Sequence, residues 1–336
     1  LRNLAASVRK AARHKIVWPL LALVILYLIN LIVVPGFFKV EIIDGHLYGN
    51  LVDVLNRGTP LIIMAIGMTL VIATEGIDIS VGSVMAIAGS MAIFILEGSP
   101  LWVAILTALG IGLLCGLWNG MLVSILGIQP MVATLILLTV GRGIAQLITN
   151  GQILTTTNDR YEYIGKGYLL GIPFAVYIVA AVFILVYLLK TKTAFGLFLE
   201  STGANRRSSE FAGIKPRVIF MTAYAICGLL AAVAGIIYSS NLSSADANNA
   251  GLWYELDAIL AVVIGGTSMR GGRFFLGGTV VGAIFIQSLT TTIYSLGVPP
   301  ESILLVKAIV VILVCLIQSD VFRQKLISIK RKVTAS

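Results

Sequence analysis

The chain has 336 residues, 58% of them hydrophobic and 12% charged, with a formal net charge of +9. It is too apolar for an ordinary soluble domain. Its Lys and Arg residues sit in short segments beside apolar runs, which excludes nucleic acid as their partner and points to membrane lipid.

A basic start, Arg2, Arg9, Lys10, Arg13 and Lys15, runs into the first apolar stretch without a small-residue cleavage site, so it reads as a retained first span. Apolar stretches then follow at 17–34, 60–73, 81–96, 101–126, 131–148, 173–189, 218–239, 256–265, 275–296 and 303–317. They predict an all-α polytopic membrane protein with about ten transmembrane segments. The second and eighth are too short to cross roughly 30 Å of hydrocarbon as lone helices. Each ends in a glycine-bearing polar turn, TEGIDISVGS or GGTSMRGGR, so tilted, buried and broken helices are all open readings. The two stretches, with their turns and the spans that follow, echo each other in plan, as duplicated halves flanking a transport pathway do. The cysteines Cys115, Cys227 and Cys315 lie inside apolar runs and read as packing residues rather than disulfide or metal partners. Gly110, Gly112, Gly116 and Gly120 predict close helix approach.

With the N-terminus cytoplasmic, 18 Lys and Arg residues fall in inside segments and 4, Lys39, Arg57, Arg160 and Lys166, in outside ones. That asymmetry puts both termini in the cytoplasm. The resulting organisation is a basic cytoplasmic tail (1–16), a transmembrane domain (17–317) and a second basic tail (318–336). The largest inside segment, 190–217, carries Phe195, Leu197, Phe198 and Leu199 before a polar stretch and Phe211 and Ile214 after it. It reads as a short amphipathic helix lying on the cytoplasmic face and ended by Gly213 and Pro216, or else as a plain connection.

No phosphate-binding G-x-x-x-x-G-K-[ST], zinc motif or nucleophile elbow occurs, so no catalysis is expected of this chain, and any ATP is hydrolysed by another. Ionisable residues near or within the spans are the candidates for function. Glu75 and Asp78 cap a helix at an inside turn or touch solute. Glu255 and Asp257 do the same where the eighth stretch begins. Arg142 suits an internal salt bridge or carbonyl contact, and Lys307 suits snorkelling to the outer interface. Trp118 and Asn119 line a pathway or simply pack. The outer loop SSNLSSADANNAGLW, with Asn248, Asn249 and Trp253, contacts a polar solute or a delivery protein, or is a solvated turn.

Four stretches, AIGMTLVIATEGIDISVGSVMAIAG (65–89), QPMVATLILLTVGRGIAQLITNGQ (129–152), ESTGANRRSSEFAGI (200–214) and WYELDAILAVVIGGTSMRGGR (253–273), resemble the permease subunits of bacterial sugar ABC importers of the ribose, xylose and galactose class. SADANNAGLWYELDAILAVVIGG and DGHLYG (44–49) look most like the galactofuranose importer permeases. The resemblance implies a multi-pass protein of the bacterial inner membrane. It would pair with a second permease, a different chain in galactofuranose systems, with a double-cassette ATPase below and a periplasmic sugar-binding protein above. ATP and Mg would be used by the ATPase, with no cofactor bound by this chain. The family's ATPase-coupling helix maps onto Glu200, Gly203, Asn205, Ala212 and Gly213, with Arg206 and Arg207 where the family has small residues. The rival class is an ion-coupled secondary sugar transporter, which would use Asp257 or Asp78 as its titrating carboxylate.

Overall fold

The structure is a computed structural model that describes residues 16–43 and 45–318. Apart from Ile16 and Gln318, the two expected basic tails lie outside the described residues, and so does the side chain of Cys315. Every predicted apolar stretch is helical: α1 (Val17–Val33), α2 (Asn50–Ala73), α3 (Val81–Leu96), α4 (Leu101–Ser124), α5 (Pro130–Thr149), α7 (Phe174–Lys192), α10 (Pro216–Leu242), α11 (Tyr254–Ile264), α12 (Leu276–Ser295) and α13 (Pro300–Gln318). Three further helices connect them, α6 (Asp159–Lys166), α8 (Ala194–Ala204) and α9 (Arg206–Phe211). By length and composition, α2, α4, α5, α7, α10 and α12 are each able to cross a membrane. A helix satisfies its own backbone hydrogen bonds, which suits apolar surroundings.

Helix α2 corrects the expectation of a short second span. It runs for 24 residues: polar first turns (Asn50, Asp53, Asn56, Arg57) carry the helix ahead of the apolar run. Pro60 lies inside it and cannot donate to the Asn56 carbonyl. The Thr59 hydroxyl donates to that oxygen instead, at 2.7 Å. Of the readings left open for this stretch, burial by neighbours is the one observed: 83% of its apolar window is buried, against 11% for α7. The eighth stretch is as short as expected, 11 residues.

Helix α10 is the hub. Its Gly228 abuts the Gly112 carbonyl and the backbone of Gly116 on α4 so closely that a Cβ would lie 2.7 Å from Gly116 N. Further along, Gly67 of α2 faces Cys227, and Gly89 of α3 faces Gly235. Small residues thus bring three helices onto one. Gly112, Gly116 and Gly120 make close contacts as expected, whereas Gly110 has nothing within 4 Å of where a Cβ would stand.

Connections lie at alternating ends of the bundle. At one end are three two-stranded ladders: hairpin β1 (Glu41–Ile43)–β2 (His46–Tyr48), β3 (Ile153–Thr155) paired antiparallel with β6 (Ser244–Asp246), and hairpin β4 (Tyr168–Leu169)–β5 (Ile172–Pro173). The Leu47 N–H donates to the Gly171 carbonyl and ties two of them together. Helix α6 is pinned to α10 there by Tyr161 and Ser239, whose hydroxyls are 2.6 Å apart. At the other end lie α8, α9 and the turns 74–80 and 265–275. That end holds eight of the described Lys and Arg residues (Lys190, Lys192, Arg206, Arg207, Lys215, Arg217, Arg270 and Arg273).

Candidate functional site

Two of the predicted groups assemble at the basic end. Here the 190–217 segment is two helices, not the single amphipathic helix expected. The break is Asn205, whose side chain leaves the helical run and caps α9, accepting the Ser208 N–H at 2.9 Å. Helix α8 is fixed to the bundle. Glu200 pairs with Lys190 at 3.2 Å, and Lys190 also donates to the Phe274 carbonyl and lies 3.9 Å over the Phe274 ring. Gly203 is wedged between the Ala73 carbonyl at the end of α2 and the Gly272 N–H, leaving no room for a side chain. Gly272 N–H itself donates to Ala73 O at 2.9 Å. The two echoing turns therefore meet each other and α8 at a single backbone joint. Helix α9 instead projects. Phe211, one of the apolar residues of the expected amphipathic helix, is 93% exposed. Arg206 reaches Glu210 at 3.7 Å and sits 5.4 Å from the Phe220 ring, while Arg207 and Ala212 are exposed and Gly213 has φ +83°.

Just inside this end, Asp78 is 1% exposed, so water does not hold its carboxylate. Its Oδ1 accepts from Ser80 N at 2.9 Å, Ser80 Oγ at 2.6 Å and Asn119 Nδ2 at 3.3 Å. Asp78 thus fastens the turn that leads into α3 at Ser80 rather than capping the helix itself, whose start has no side-chain cap, and Asn119 of α4 joins the cluster. Among the described residues, the Asn119 Oδ1 and Tyr224 OH atoms beside it are buried without hydrogen-bond partners. Glu75 takes no part: it is exposed, has φ +66°, and its N–H closes the last turn of α2 onto Ile72 O. Trp118, 48% exposed, faces away from the cluster formed by its neighbour Asn119.

The remaining candidates lie nearer the middle of the bundle. The outer loop, for which contact with solute, contact with a delivery protein and a solvated turn were all open, dips inward after β6. Arg142 Nη1 donates to Ala247 O at 3.1 Å and Ala250 O at 2.6 Å, the carbonyl contact its sequence position suggested. Arg142 lies roughly 18 Å along α5 from Pro130, at 1.5 Å per residue. Gln146 Nε2 donates to Asn248 Oδ1 at 2.7 Å, and Gly251 meets Gly82 on α3 backbone to backbone. Asn249 turns back to Asp246 Oδ2 at 2.7 Å. Burial pushes the Asp246 carboxyl up, but the Asn249 amide, the Asn248 and Asn249 N–H groups and the Arg142 charge outweigh it and hold it below the usual range. Trp253 is 47% exposed with φ +67°, a conformation strained for a bulky residue.

Glu255 is buried, with Oε2 against Gly82 and, among the described residues, no hydrogen-bond partner for that oxygen. Lys307 corrects the expectation of snorkelling. It turns inward from α13 and pairs with Asp257 of α11 at 2.7 Å, and both side chains are largely buried. Ser80, Gln146 and Lys190 were not singled out by the sequence, because part of each role comes from a distant partner: Asn119, Asn248 and Phe274 respectively. Among the described residues, no group of three or more His, Cys, Asp or Glu is placed to hold a metal ion.

A bundle of long apolar helices with buried, internally matched polar groups and a basic, projecting segment at one end is the architecture of a membrane transport permease. The chain belongs to the family described as the permease component of branched-chain amino acid transport systems, matched over residues 50–315. It is 52% identical over 311 residues, 91% of each chain, to the galactofuranose transporter permease protein YtfT of Escherichia coli K12. It is 41% identical to the fructose import permease protein FruF of Bifidobacterium longum, covering 97% of this chain and 93% of that one. The ribose import permease protein RbsC of E. coli K12 is 37% identical, with 89% and 92% covered. No solved structure matches the chain.

Proposed function

We propose that this chain is the permease subunit of an ATP-binding-cassette importer that brings galactofuranose from the periplasm to the cytoplasm across the bacterial inner membrane. The observation that carries this reading is the 52% identity to a galactofuranose permease over nearly the whole of both chains. The ten helical stretches are the transmembrane segments, α11 reaching only part of the way across, with both termini cytoplasmic and the basic end inside. The partners are a second, different permease, a double-cassette ATPase that uses ATP and Mg, and a periplasmic sugar-binding protein.

Work enters through α9, whose exposed Phe211, Arg206 and Arg207 offer an apolar knob in a basic rim. It passes through Asn205 to α8 and its backbone joint at Gly203, which touches both glycine-rich turns. Those turns start α3 and α12, so their displacement opens the bundle to one side at a time. Asn119, Asn248, Asn249, Trp253 and Glu255 supply the polar lining. Such a lining can be weak, because the soluble binding protein selects the solute.

Ion coupling is less well supported, since Asp257 is matched by Lys307 and Asp78 by three hydrogen bonds. The test is uptake of labelled galactose, part of which is furanose in water, by proteoliposomes holding the complete transporter and its binding protein. Uptake should stop without ATP and survive a collapsed ion gradient. The opposite pattern would overturn the proposal.

A further inference from the structure

We propose that one flank of α5, comprising Thr139, Arg142 and Gln146, is a solute-contacting face of the translocation path, with Arg142 itself donating hydrogen bonds to the sugar. This rests on the sugar-permease reading above. Thr139, Arg142 and Gln146 recur at three- and four-residue spacing and so share a flank, with Gly143 between them. The neighbouring flank is Val140, Ile144 and Leu147, all exposed and wholly apolar. Two different surroundings are therefore written side by side on one spanning helix. The apolar flank suits hydrocarbon. A guanidinium two turns inside the helix end does not, and such a group faces a protein interior or a watery way, while Gln146 lies in the last turn of α5.

Among the described residues, the hydrogen bonds of the Arg142 guanidinium all leave from Nη1, to the Ala247 and Ala250 carbonyls. Half-buried, it keeps Nη2 and Nε for another acceptor. A neutral polyol offers such acceptors in its hydroxyl and ring oxygens, and unlike a carboxylate it is not trapped by the charge. The same two carbonyl bonds hold the loop that leads, three residues on, to Trp253, whose exposed indole can stack on the apolar face of a sugar ring. Gln146, bonded to Asn248, extends the polar face outward.

The experiment uses the complete transporter in membranes, with native cysteines replaced and single thiols introduced as Thr139→Cys, Gln146→Cys, Val140→Cys and Ile144→Cys. A charged, water-soluble methanethiosulfonate should modify the first two at least ten times faster than the second two, and galactose with its binding protein and ATP should slow that modification. Equal rates on the two flanks, or fast modification that solute and ATP leave untouched, would overturn the inference. Arg142→Lys should raise the KM for uptake several-fold. If this variant fails to assemble, the thiol rates still decide. Failure of the unmodified complex to import the sugar would instead count against the proposed function and leave the flank comparison readable.

Discussion

The pair Lys307–Asp257 was invisible as a pair in the sequence, because each residue alone had an ordinary interfacial explanation. Only the packing of α13 on α11 brings them to 2.7 Å. Removing one partner leaves a buried charge, which typically costs about 3–5 kcal/mol, whereas neutralising both costs much less. Lys307→Met should therefore lower the thermal stability of the purified complex markedly, and adding Asp257→Asn should restore most of it. Equal losses in single and double variants would show that the two do not depend on each other. Asp78 and Asn119 were each singled out from sequence, but nothing along the chain indicated that they share one hydrogen-bonded cluster around Ser80. At the joint, Gly203→Val has nowhere to put its side chain against Ala73 and Gly272. It should abolish sugar-stimulated ATPase while the ATPase subunit alone still turns over, and preserved stimulation would remove the joint from the coupling route.

Among the elements, the apolar runs were readable almost to the residue: α3 spans the predicted 81–96, and α12 differs from its stretch by one residue at each end. What eluded pattern reading was where polar residues continue a helix or interrupt one. Helix α2 continues through Asn56 and Pro60 because Thr59 supplies the donor that proline lacks. Thr59→Val should leave the Asn56 carbonyl short of a donor and cost about 1 kcal/mol, measurable as a lower unfolding midpoint. The 190–217 helix stops at Asn205 because an Asx side chain competes for the backbone of the next turn. Asn205→Ala should cost about 1 kcal/mol of cap and quicken amide exchange across 206–211. Unchanged exchange there would mean the cap does not hold α9.

At the scale of the whole molecule, the gathering of cations at one end was legible in the sequence and fits the structure, since segments 190–217 and 265–275 meet around α8 and α9. The inward dip of residues 247–253 was not legible, because Asn, Ser and Asp look the same in a solvated turn and in a buried one held by a distant arginine. Thiols placed at Arg207 and at Arg160 should be labelled from opposite sides of the membrane, the first from the cytoplasm. Labelling of both from one side would undo the arrangement proposed for the spans.

The contact of Gly228 with Gly112 and Gly116 carries a mechanical consequence. Two helices that touch main chain to main chain have no side-chain cushion to shear through, so α4 and α10 behave as a single rigid strut. A transporter that must show its interior first to one compartment and then to the other cannot flex at that seam. It has to pivot around it as a unit.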